Sequence, residues 1–156
     1  MDTPLALPLA ASQVLASGGR VVGRLPPGRG HADNDLLLGL PDAALMIGGG
    51  LVEQSGPPAF GSDSFPLDWP ATLEALATLT PEDTTYVPGH GDPAGRGFLR
   101  EMQEFVSAVA EQIRVLHADG VPAQDAVRAG SWPIADSAHF AEAVQRGYAQ
   151  LSGALP

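Results

Sequence analysis

The sequence predicts an α/β (α+β) chain, with a mixed sheet covered by helices on one face and a helical C-terminal tail. Three observations lead there. Two short aliphatic runs separated by Pro41-Asp42 read as a hairpin, a β-branched TTYV run ends on a Pro-Gly turn, and from Phe98 onward apolar residues recur at three- and four-residue intervals.

Taken in order, residues 1–19 are apolar and small, and residues 20–25 (RVVGRL) read as a strand that enters the turn PPGRG ahead of His31. Residues 35–40 (DLLLGL) and 44–47 (ALMI) form the hairpin, and its second strand runs into Gly48-Gly49-Gly50. Residues 55–67 show no period and read as an irregular loop. Asp68 stands where an N-cap belongs, ahead of Pro70 and of Leu73, Leu76 and Leu79, which predicts a helix to Thr80. Residues 84–87 make the next strand. The stripe Phe98, Met102, Phe105, Val106, Val109, Ile113 and Leu116 belongs to one buried helix face, closed at Asp119-Gly120. Residues 121–129 and 135–151 read as two further helices. In DLLLGL apolar side chains point to both faces of the strand, so the face opposite the helices is expected to need a partner sheet.

Composition narrows the function classes. Eight basic residues, all arginine, stand against 18 acidic ones, giving a formal charge of −10, so there is no electrostatic footprint for nucleic acid or for an anionic membrane. No apolar run reaches the length of a membrane span. Without cysteine, thiolate metal sites and a cysteine nucleophile are excluded, and any metal must be held by histidine and carboxylate. Asp2, with no positive charge before the apolar stretch, argues against a secretion signal, and a cytoplasmic location is expected.

The residues best suited to chemistry lie in two histidine turns, GRGHADND at 28–35 and PGHGDP at 88–93. Each sets a histidine after a glycine beside a strand, and each is followed by aspartate: Asp33 and Asp35 in the first, Asp92 in the second. Metal-bound imidazole needs an oxygen partner for its second ring nitrogen, and these carboxylates could serve. In order along the chain, GHADNDLLLGLPDAALMIGGGLVE, FGSDSFPLDWPATLEAL and VPGHGDP resemble the later half of a metallo-β-lactamase-fold hydrolase. The likeness runs over residues 20–151.

That resemblance implies half of an αββα sandwich, with residues 1–19 as a divergent N-terminal segment and residues 20–156 as a metallo-β-lactamase-like C-terminal half-domain. It places His31 and His90 at the last histidine ligand positions of two metal sites and implies zinc as cofactor. It also implies hydrolysis of an ester, thioester, lactam or phosphoester. Two departures weigh against activity. Gly50 stands where a bridging aspartate is expected, and no histidine precedes His31, so the His-x-His-x-Asp-His block is absent. The expectation is therefore a truncated, catalytically inactive relative, with zinc weak or absent in the isolated chain and no catalytic residue assigned.

The alternative is a binding or assembly module that uses the uncovered sheet face, its partner a second copy or a complementary N-terminal half. A small-molecule substrate is expected only if the site is completed. The other candidates read as structural. His117 sits near a helix C-terminus, where imidazole complements the dipole, and His139 is expected on the final amphipathic helix. The triple glycine lacks the Lys-Ser/Thr helix start of a phosphate loop. Ser55, Ser62 and Ser64 lack a nucleophile-elbow pattern, and Phe60, Phe65 and Trp69 are expected to pack their loop onto the body.

Overall fold

The computed structural model describes residues 13–17 and 20–155, with side chains from residue 21 onward. Among the described residues five strands form one sheet in sequential order: β1 (Gln13–Ser17), β2 (Arg20–Leu25), β3 (Leu37–Leu40), β4 (Leu45–Gly49) and β5 (Thr85–Pro88). The first four pair antiparallel, and β5 joins β4 in parallel after the crossover through α1 (Trp69–Leu79), so the sheet is mixed as expected. The long α2 (Arg96–Ala118), the short α3 (Ala123–Ala129) and α4 (Ala141–Leu151) complete the chain. β1 falls within residues 1–19 and pairs with β2 from Gln13↔Arg24 to Ser17↔Arg20.

Where the elements differ from expectation, local hydrogen bonds give the reason. β3 begins at Leu37 rather than residue 35, because the Asp35 carboxylate turns back to accept the Ala32 N–H at 3.1 Å. Asp68 occupies the N-cap position of α1 but makes no capping hydrogen bond; its carboxylate holds the Arg29 guanidinium at 2.7 Å instead. The last predicted helix is split, with a 3-10 turn over Ser137–Phe140 ahead of α4. His139 therefore lies outside the final helix. α2 closes as predicted: Gly120 takes φ +73°, and the Gly120 and Val121 N–H groups return to the carbonyls of His117 and Leu116.

Alternation along the strands sorts their side chains onto two faces. One face carries Leu25, Leu37, Met46 and Tyr86, all buried, in one core with Trp69, Leu73 and Leu76 of α1 and Leu99, Met102, Val106, Val109 and Ile113 of α2. The opposite face sets Leu38, Ile47 and Val87 in one lateral row and Leu40, Leu45 and Thr85 in the next. None of these residues belongs to the core, and Ile47 remains 39% exposed.

One arginine fastens the two long helices. Arg96, at the start of α2, donates through its two terminal nitrogens to the carbonyls of Ala77 and Thr80 at the end of α1, which have no helical partner of their own, and to the Pro81 carbonyl just beyond it, which also accepts the Thr84 N–H. Its side chain is only 10% exposed. We predict that Arg96→Ala lowers unfolding stability in urea by about 1–3 kcal/mol, the range for orphaning buried carbonyls. Arg96→Lys should recover only part of that, because an ammonium lacks the planar fork. An unchanged midpoint for Arg96→Ala contradicts the assignment.

Candidate functional site

The C-terminal ends of β4 and β5 lie side by side, and both histidine turns converge on them. The first turn is held from below by α1. The Thr72 hydroxyl donates to the Arg29 carbonyl at 2.6 Å, the Phe65 N–H donates to the Gly30 carbonyl at 2.8 Å, and the Arg29 guanidinium lies 4.3 Å above the Phe65 ring. Gly30 is required by packing: a Cβ there would lie within 2.9 Å of Leu51 and Trp69. These contacts lay His31 edge-on to Trp69, ring centroids 6.0 Å apart, with Nδ1 3.8 Å from the Asp35 carboxylate.

The second turn is zipped to the segment after β4 by main-chain bonds. The Gly89 N–H reaches the carbonyls of Gly49 at 2.8 Å and Val52 at 3.1 Å, while the His90 carbonyl accepts from the N–H groups of Gln54 and Ser55 at 3.1 and 3.2 Å. The Gln54 side-chain carbonyl accepts the Asp92 N–H at 2.9 Å. Here close approach explains the glycines: a Cβ on Gly89 would lie 3.0 Å from the Gly49 backbone, and Gly49 itself takes φ +53°.

Each histidine has its own carboxylate. Of the candidates near His31, Asp35 is the neighbour, and Asp33 instead accepts from Asn34 at 3.3 Å. His90 is not partnered by Asp92. Its Nδ1 lies 3.0 Å from Glu53, which also accepts the Ser55 hydroxyl at 2.8 Å. Glu53 was missed by reading along the chain because it lies 37 residues from His90, although its place three residues after Gly50 in the same turn was the available signal. Burial pushes the Glu53 carboxyl up, but the hydrogen bonds from His90 and Ser55 outweigh it, and the group titrates below the usual glutamate range. Asp35 goes the other way: burial dominates and raises it, against the Ala32 N–H bond and the nearby His31.

Position 50 does face His31. A Cβ built on Gly50 would lie 2.7–2.8 Å from three atoms of the imidazole, so the ring occupies the space a side chain there would need. Among the described residues no group of three or more His, Asp or Glu side chains is arranged to hold a metal ion. The remaining candidates are structural. His117 meets the Tyr148 ring at 5.1 Å, and His139 Nε2 bonds the Pro58 carbonyl at 2.8 Å. Phe60, Phe65 and Trp69 are buried, fixing the loop to the body as expected. No described helix is long and apolar enough to cross a membrane.

No protein-family model matches the chain. Curated relatives do: the metallo-beta-lactamase type 2 of Bacteroides fragilis is 29% identical over 86 residues, 54% of this chain and 34% of that protein. The Bacillus cereus enzyme of the same name is 29% identical over 75 residues, 47% of this chain and 29% of its own length. Among solved structures, a metallo-beta-lactamase from Pontibacter korlensis aligns with TM-score 0.57 and 25% identity over 64% of this chain and 47% of that one. The FIM-1 metallo-beta-lactamase of Pseudomonas aeruginosa, in a mono-zinc form, gives 0.52 and 26% over 57% and 40%. The chain carries part of a metallo-β-lactamase fold. It spans less than half the length of these relatives. Within this partial metallo-β-lactamase fold, the helix-covered sheet and the two histidine turns are present together.

The contact between Gly50 and His31 is directly testable. Gly50→Ala should shift the ring resonances of His31 in an NMR spectrum and leave those of His117 and His139 in place. Unmoved His31 resonances contradict the packing described.

Proposed function

We propose that this chain is a metallo-β-lactamase-like protein that does not hydrolyse substrates by itself. The observation that carries the reading is the donor set at the strand ends. A catalytic zinc takes about three protein ligands and leaves one position for water. Here position 50 offers no donor, and the nearest acidic partners of His31 and His90 are two different residues, Asp35 and Glu53. Outside the described side chains, Asp2 is the sole His, Asp or Glu. The residues present therefore do not fit a catalytic zinc, although one relative is described in a mono-zinc form. Glu53 holds Nδ1 of His90 and leaves Nε2 for a metal, which orients the ring as in a ligand histidine but supplies one donor only.

A second reading rests on a separate observation, the apolar sheet face with Ile47 and the neighbouring Leu38, Leu40, Leu45 and Val87 outside the core. Such a face suits a second polypeptide layer. In that reading the chain is one half of an assembly, and sedimentation as a monomer at high concentration counts against it.

The leading proposal is tested by zinc content after dialysis and by β-lactam hydrolysis with added zinc. The expected result is zinc well below one equivalent and no turnover above background. Gly50→Asp alone should remain inactive, since one carboxylate does not supply the other missing donors. Stoichiometric zinc with sustained turnover overturns the proposal.

A further inference from the structure

A cavity of about 280 Å³ opens between the segment after β4 and the first turns of α2, beside the histidine turns and sharing Glu53 with them. Pro57, Pro58, Phe98 and Phe105 line it together with the buried Met102. Phe98 and Phe105 are only partly buried and keep ring surface toward the opening. Among the described residues the charged side chains lining it are both carboxylates, Glu53 and Glu101, and no basic residue lines it.

The arginines nearby are engaged elsewhere. Arg100 pairs with Glu82 at 2.9 Å, and Arg96 is spent on the end of α1. Glu101 has no ion pair or hydrogen bond among the described residues. A concave apolar site with a few convergent polar groups is the usual form of a small-molecule pocket, and this one is at the small end of the range. Two negative groups beside aromatic faces select the sign of the ligand, because ring faces and carboxylates both attract cations. The chain's formal charge of −10 draws the same species in.

We propose that this cavity binds a small organic cation with an apolar body, an aromatic or alkyl ammonium, with the body between Phe98, Phe105 and Pro57 and the charge toward Glu101 and Glu53. This goes beyond the inactive-hydrolase reading and does not depend on it. The ammonium sits near an exposed carboxylate at Glu101 and near the more buried Glu53.

The test is an amide NMR titration of the full chain with benzyltrimethylammonium, beside tetramethylammonium and phenylacetate. Binding is expected to shift the amides of residues 53–56 and 98–105. Tetramethylammonium should bind more weakly for want of an apolar body, and phenylacetate should produce no shifts there. Glu101→Gln, at an exposed position where folding is unaffected, should weaken the benzyl cation by roughly three- to fivefold, the scale of one partly screened charge. The proposal is overturned if the cation produces no shifts, if phenylacetate binds equally well, or if Glu101→Gln leaves affinity unchanged.

Discussion

The rest of the site depends on a backbone seam between the end of β4 and the loop after β5. Gly89 reaches Gly49 and Val52, and His90 accepts from Gln54 and Ser55, so the second histidine turn is held by main-chain groups. The seam forms because β5 runs parallel to β4, which brings both strand ends to one edge of the sheet, where open α/β architectures place their clefts. With the first turn seated on α1 and Trp69, the two histidines flank the same glycine-rich segment. The two histidine turns are thus fixed by backbone contacts, while among the described residues no group of three or more His, Asp or Glu side chains gathers around them.

That separation explains the state of each histidine. A side chain at position 50 would meet the His31 ring directly, and its absence lets the imidazole settle beside Trp69 and Asp35. On the other side, Glu53 turns out of the segment after β4 and takes up His90 Nδ1. Carboxylates that orient metal-bound imidazoles in complete sites act here as the histidines' own partners. The segment that carries Glu53 also forms one wall of the neighbouring apolar cavity, so the same short stretch shapes both features.

Much of the fold was legible in the sequence because local chemistry and tertiary packing agree. The hairpin about Pro41-Asp42, the helix stripe ending at Gly120 and the β-branched run before Pro88 all form close to where their patterns place them. The misreadings share a cause in long-range or back-turning polar contacts. Asp35 shortens β3 by bonding Ala32, Asp68 leaves its capping role for Arg29, and His139 turns toward Pro58, 81 residues away in the chain. The ordered motif blocks pointed to the metallo-β-lactamase fold, which the comparisons support over about half the chain. The His90–Glu53 pair was hidden, since a contact across 37 residues leaves no periodic trace.

The central claim is that the two histidine turns share a scaffold but not an ion. It is tested most directly by following the imidazole nitrogen resonances of His31 and His90 while zinc is added to the intact chain. The account predicts weak responses that saturate independently, with each ring retaining its own carboxylate neighbour. Concerted movement of both rings, complete at one equivalent of zinc, would contradict it.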